Sequence, residues 1–142
     1  MPGDFDLSRF LPYVLNQAAE ASSAGFQSCY RQRYGMLRTE WRVLFHLGRY
    51  GGITAKEICE RASLHKTKVS RAVLALETKR YLLRTPQEKD RRHETLSLTR
   101  QGQAVYSDLV QAAEDYDAAL SAHFSMQERE VLLRCLEKIA KL

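Results

Sequence analysis

The chain has no Cys-x-x-Cys pair, and its three cysteines, Cys29, Cys59 and Cys135, stand far apart. An odd count at such spacing argues against a disulfide framework and against a structural zinc site. It leaves reduced thiols, expected to be mostly buried. Apolar residues come in interrupted stripes that fall far short of a membrane span. The opening MPGDFDLSRF puts acids where a secretory signal needs a basic region and a long apolar run. A cytoplasmic location without a membrane partner is therefore the expectation. Catalytic signatures are missing too. There is no His-Glu-x-x-His, no glycine-rich phosphate loop and no nucleophile elbow. His46, His65, His93 and His123 are scattered over different elements, and Glu57 and Glu60 share a helix turn without a third partner. Neither enzymatic activity, nor a cofactor, nor a bound metal is expected. There is no internal repeat and no low-complexity tract.

What is present is one domain's worth of foldable chain: 142 residues, 44% hydrophobic and 27% charged. The net charge of +5 is unevenly placed. Residues 54–100 carry 12 Lys+Arg against 6 Asp+Glu, whereas the rest carries 10 against 11. Solubility does not require such clustering; a partner of dense negative charge would account for it.

Apolar periodicity predicts a helix over 8–26, with Phe10, Leu11, Val14, Leu15, Ala18 and Ala21 on its stripe and Ser22, Ser23 and Gly25 loosening its end. An aromatic-rich polar stretch, 27–35, follows. A second helix is predicted over 39–50, with Trp41, Leu44, Phe45 and Gly48 on one side and Gly51-Gly52 at its end. Thr54 and Glu57 have capping-box spacing and open a short helix to Ala62. Ser63-Leu64 link it to a helix over 65–79 whose inward face is Val69, Val73 and Leu76. Residues 81–85 and 95–98 read as two strands joined by a basic loop, with Pro86 tolerable at an edge or turn. Thr99 can cap a long helix, 100–123, carrying Val105, Leu109, Ala113, Tyr116 and Leu120. Ser125 and Glu128 form a second capping box before a last helix with Val131, Leu132, Leu136 and Ile139. The fold class is mainly α with a small β-hairpin (α+β), as in a winged helix-turn-helix.

In a helix-turn-helix, a short helix braces a second one in the major groove. The brace here is 54–62 and the reader 65–79. With Val69, Val73 and Leu76 inward, the reader's outer face offers Lys66, Thr67, Ser70 and Arg71, with Lys68 towards the flank and His65 at the start. Arginine grips guanine edges, short hydroxyls meet bases or phosphates, and lysine mostly neutralises phosphate. At the hairpin tip, Arg91 and Arg92 suit a narrow minor groove, where negative potential is concentrated. Asp90 can hold one guanidinium by paired hydrogen bonds while the other projects.

These pieces together resemble the MarR family of bacterial transcription regulators. They are Glu40-Trp41-Arg42-Val43-Leu44, Val69-Ser70-Arg71-Ala72-Val73 with Leu76-Glu77, Asp90-Arg91-Arg92, then Leu98-Thr99 and Gly102. The resemblance covers nearly the whole chain. It implies a dimer on a palindromic operator and, often, a repressor released by a small phenolic ligand. It assigns the reader role to Ser70 and Arg71, the minor-groove role to Arg91 or Arg92, and the support to Asp90. The sequence departs from the family pattern at Arg80, where glycine is usual, at Leu37, where a capping hydroxyl is usual so that Thr39 would cap later, and at His65, where serine is common.

The implied organisation is an N-terminal dimerisation helix and linker over 1–38, a winged helix-turn-helix lobe over 39–100 and C-terminal dimerisation helices over 101–142. The terminal helices carry more apolar surface than a compact lobe can cover, which a homodimer would explain. Two sensing devices are candidates. A small aromatic or carboxylate effector could bind among Phe26, Tyr30, Tyr34 and Trp41 with Arg31, Arg38 or Arg42. Alternatively, Cys29, near Arg31 and Arg33, could be redox-active, while Cys59 and Cys135 read as packing residues. A winged-helix adaptor for proteins is the competing non-DNA reading.

Overall fold

The N-terminal half of the chain is organised around one helix longer than local propensity predicts. In the computed structural model, which describes residues 3–89 and 93–142, α1 runs unbroken over Leu11–Tyr34. It passes straight through Ser22, Ser23 and Gly25, and takes in the stretch 27–34 that the sequence assigned to a separate segment. Tertiary packing explains the difference. A Cβ at Gly25 would strike the hydroxyl of Tyr116, and that hydroxyl donates to the Ser22 carbonyl at 2.6 Å. Glycine is therefore present for close approach rather than for helix termination. Gly35, at φ 63°, ends the helix. A 3₁₀ turn, Leu7–Arg9, precedes α1 and is capped by Asp6.

Helix α2 spans Arg38–Tyr50. Thr39 does not cap it. Instead the Glu40 carboxylate accepts from the Leu37 N–H at 2.5 Å, so the first turn is closed from within, and Glu40 is almost wholly buried while doing so. The face turned to the core is Val43, Leu44 and Leu47. Trp41 and Phe45 are half-buried beside it, and Gly48 admits the Tyr106 ring. The inward side is thus rotated from the one expected.

Helix α3, Ala55–Ala62, begins where Thr54 Oγ1 accepts from the Glu57 N–H at 3.2 Å. Ser63 makes the turn at φ 53°. Helix α4, Lys66–Thr78, buries Val69, Ala72, Val73 and Leu76. Strands β1, Leu82–Pro86, and β2, Glu94–Leu98, pair antiparallel with Leu82 opposite Leu98 and Pro86 opposite Glu94. Pro86 is the terminal residue of its strand, as its missing donor requires. Ile53 adds an isolated third rung: its N–H donates to Leu96 at 3.1 Å and its carbonyl accepts at 2.8 Å.

Helix α5, Arg100–Ser121, is capped by Thr99 and buries Val105 and Leu109. Helix α6, Met126–Ala140, carries the full Ser125–Glu128 capping box. The core gathers α1 to α5 and the hairpin around Met36, Leu44, Ile58, Leu76, Leu96 and Leu109, all at most 2% exposed. Helix α6 contributes no buried residue. Among the described residues, no helix is long and apolar enough to cross a membrane. The arrangement is a mainly helical winged helix-turn-helix with a β-hairpin wing.

Candidate nucleic-acid interface

Helix α4 divides sharply into a buried and an exposed side. At ~100° per residue, Thr67, Arg71, Leu74 and Thr78 ride the stripe opposite Val69, Val73 and Leu76. Ser70 and Lys66 flank it on one side and Lys68 on the other. His65, Lys66, Thr67, Lys68, Ser70 and Arg71 are all exposed. The first turn thus presents two ammonium groups, a guanidinium within reach and two hydroxyls, together with the free N–H groups of a helix start. His65 caps that start, with Nδ1 accepting from the Thr67 N–H at 3.2 Å. The imidazole therefore does the job that serine does elsewhere, keeping a lone pair on Nδ1 and leaving Nε2 as its remaining polar atom.

Arg84 links the wing to α4 and its two strands to each other. Arg84 on β1 donates from Nε to Glu77 on α4 at 3.1 Å and from a terminal nitrogen to Glu94 on β2 at 3.2 Å. The two carboxylates raise the already high pKa of Arg84 against the opposing cost of burial. A cleft of about 590 Å³ lies between the reader and the wing base, with Lys56, Lys66, Ser70 and Arg84 on its walls. Asp90, Arg91 and Arg92 lie outside the described residues. At the base of that tip, the Gln87 N–H donates to the His93 carbonyl at 3.0 Å.

Away from this surface, Phe26, Tyr30, Arg38, Trp41 and Arg42 come together with Ser23 around a pocket of about 150 Å³. Tyr30 and Trp41 lie nearly parallel, at 7° and 6.4 Å, with Phe26 tilted against both. Arg38 is tied to Glu20 on α1 at 3.3 Å. Two residues expected here are elsewhere. Arg31 is exposed and does not line the pocket. Tyr34 donates to Asp108 on α5 at 2.5 Å, beside an Arg33–Asp108 ion pair of 3.2 Å. Burial and this hydrogen bond push the Tyr34 hydroxyl up to about 12. The Tyr34 hydroxyl, joined by Arg33, holds Asp108 below the usual carboxylate range. Cys29 is half-buried against the core. Cys59 is half-buried as well, whereas Cys135 is exposed on α6 instead of being packed within the chain.

The model of the MarR family matches residues 34–93, which is the stretch from the end of α1 through α4 to the hairpin. The chain belongs to the MarR family. Its likeness to relatives extends well beyond the matched segment. The homoprotocatechuate degradative operon repressor of Escherichia coli is 24% identical over 132 residues, covering 93% of this chain and 88% of that protein. The solved structure of the CouR transcriptional repressor on a 23-mer DNA duplex superposes at a TM-score of 0.86, with 26% identity and 94% of each chain covered. BpsR of Bordetella bronchiseptica, solved in a study of how 6-hydroxynicotinic acid regulates its DNA binding, shares the fold at a TM-score of 0.89, with 20% identity and 99% of each chain covered. This MarR-family chain is a DNA-binding transcription regulator.

Two features of the regulator were beyond sequence reasoning. The Arg84 brace joins residues seven and ten positions apart across three elements, and no periodic signal marks it. The Tyr34–Asp108 clasp joins positions 74 residues apart, and only an aromatic followed by a distant acid was there to be read.

Proposed function

We propose that this regulator is a homodimeric repressor that grips a palindromic operator and is released by a small aromatic carboxylate. The observation that carries the DNA half is the exposed face of α4, where Lys66, Thr67, Lys68, Ser70 and Arg71 crowd one turn and a half of helix opposite a fully apolar side. Ser70 and Arg71 meet base edges, His65, Lys66 and Lys68 meet phosphates, and Thr67 serves either. Arg91 or Arg92 enters the flanking minor groove, with Asp90 in support. Residues 39–100 form the reading lobe; 1–38 and 101–142 form the dimer, which sets two readers about one DNA turn, ~34 Å, apart.

Exposed apolar surface supports the dimer. Phe10, Leu11 and Val14 at one end, and Val131, Leu132, Leu136 and Ile139 at the other, are 37–57% exposed in a single chain. A monomer would leave these stripes in water.

The effector pocket is the aromatic site of Phe26, Tyr30 and Trp41, where Arg38 and Arg42 supply the cations that a carboxylate needs. One chain encloses about 150 Å³ there, against ~300–1,000 Å³ for ordinary ligand sites, so the second copy completes its wall. The named regulation of BpsR by 6-hydroxynicotinic acid makes an aromatic acid the first class to try. The decisive experiment selects bound duplexes from a random pool and then titrates aromatic acids against the protein–operator complex. A palindromic motif with salt-dependent affinity, released by an acid, is expected. A pool without a motif refutes the DNA reading; a complex that no acid loosens refutes the effector reading.

A further inference from the structure

We infer that Leu74 is a specificity-determining residue that reads the C5-methyl group of a thymine in the major groove. The inference rests on the proposed operator reading and adds a base contact to it. Leu74 is 58% exposed. It occupies the stripe of α4 that carries Thr67 and Arg71, while the helix's other large apolar side chains, Val69, Val73 and Leu76, are at most 2% exposed. Its surroundings on that stripe are polar: Ser70 lies four residues before it and Arg71 three. These are the spacings at which helix side chains are neighbours, about 5–6 Å apart between Cβ atoms. Such a setting differs from the terminal helices, whose exposed apolar residues are contiguous and suit a second protein chain. A lone leucine among hydroxyls and a guanidinium has too little apolar company for a protein-docking patch.

The chemistry of the groove fixes what a leucine there recognises. Each base pair offers hydrogen-bond donors and acceptors, which an isobutyl group cannot use, and thymine alone adds a methyl group. Thr78, one turn further on, commits its hydroxyl to the Leu74 carbonyl at 2.8 Å. Its single donor hydrogen is therefore not free for a base acceptor beside Leu74. Because Leu74 is a helix neighbour of Arg71 and Ser70, the thymine lies beside, or one step beyond, the base pair that Arg71 reads. Each half-site contains one such thymine.

The test uses the operator obtained by random-pool selection and the full-length protein. Each thymine is replaced singly, then in symmetric pairs, by deoxyuridine, which lacks only the methyl group, and the dissociation constant is measured. One position per half-site is expected to weaken binding about fourfold, and the symmetric pair about 15-fold, as for one methyl-sized group kept from water in each half. Leu74→Ala should bind the thymine and deoxyuridine operators equally, while Leu74→Met should keep the discrimination. As Leu74 is exposed, neither change should alter the fold, which circular dichroism checks. Wild-type affinity indifferent to every deoxyuridine overturns the inference. So does a Leu74→Ala protein that discriminates as the wild type does. A pool that yields no motif at all instead overturns the operator reading beneath it.

Discussion

Arg80 shows how a single residue records a compromise. It follows α4 at φ 66°, a conformation that costs a side-chain-bearing residue ~1–2 kcal/mol. The site is over-determined: the Arg80 N–H donates to Glu77 at 2.9 Å and its carbonyl accepts from Thr99 Oγ1 at 2.7 Å. The turn is therefore held left-handed whatever stands there, which answers the question that the missing glycine raises. Arg80→Gly should raise unfolding stability by about 0.5–1 kcal/mol, the strain relieved less the added freedom of the unfolded chain. Arg80→Val should lower it, because a β-branched residue tolerates positive φ worst. Denaturant midpoints at constant slope measure both. Gly102 is the opposite case. A Cβ there would collide with the Tyr81 carbonyl, and backbone cannot swing aside as a ring can. Gly102→Ala should cost about 1–3 kcal/mol, the usual range for overpacking, and should disturb the start of α5 where the wing returns.

At the scale of elements, much of the fold was legible because apolar period and capping chemistry agree. Ser125 with Glu128 and Thr99 before α5 name their helices correctly, and α3, α4 and both strands fall within a few residues of their expected bounds. What was misread depends on distant contacts. Gly25 and the serine pair look like a helix end because propensity sees only neighbours, whereas the Tyr116 ring that needs Gly25 lies 91 positions away in the chain. The Ile53 rung is one residue long and has no alternation to detect. The inward side of α2 lies one position from the expected one because Trp41 and Phe45, though large and apolar, are only half-buried, Trp41 at the aromatic pocket and Phe45 against the Tyr106 ring. In the candidate site, the reader cations were legible from one helix's own pattern. The aromatic pocket was only partly so, since Tyr34 and Arg31 share its sequence stretch but not its face. The Tyr34 clasp makes a pH prediction. Asp108 titrates below its unfolded value because the Tyr34 hydroxyl, with Arg33, favours the charged form. Its contribution is therefore present above the unfolded pKa of about 3.9 and is lost as pH falls through the lower folded value. For Tyr34 the sign reverses: the neutral hydroxyl is favoured, and that contribution disappears only as pH rises through about 12. Tyr34→Phe should move the Asp108 carboxyl titration upward, towards 3.9, in an NMR pH series. An unchanged midpoint would mean that Arg33 alone sets it.

For the whole molecule, the issue is why a helix with good caps and a clear apolar stripe buries nothing. Within the chain α6 is tethered by Arg129, which reaches Asp117 at 3.0 Å and Ser121 at 2.8 Å on α5. An exposed ion pair of this kind contributes little, ~0–1 kcal/mol. That is too weak to order fifteen residues whose apolar side chains Val131, Leu132, Leu136 and Ile139 are left 37–47% exposed, which is what the proposed homodimer would cover. If a second copy covers them, the wish of Leu132 and Leu136 to leave water is the same force that sets two reader helices one DNA turn apart. Leu132→Glu combined with Leu136→Glu should then give a monomer by light scattering at micromolar concentration, with the core and wing still folded, since neither residue touches them. Operator affinity should fall by orders of magnitude, because each lobe now binds its half-site without the high effective concentration supplied by its twin. Binding to non-specific duplex should fall much less, because each lobe keeps its own phosphate contacts. Lys66→Ala makes the complementary change. It should leave the dimer intact, weaken specific and random duplex alike, and lower the slope of affinity against salt by about one ion per half-site. Were the double glutamate variant to remain a dimer with full operator affinity, the force holding the two lobes in register would have to lie in the N-terminal segment, on Phe10, Leu11 and Val14.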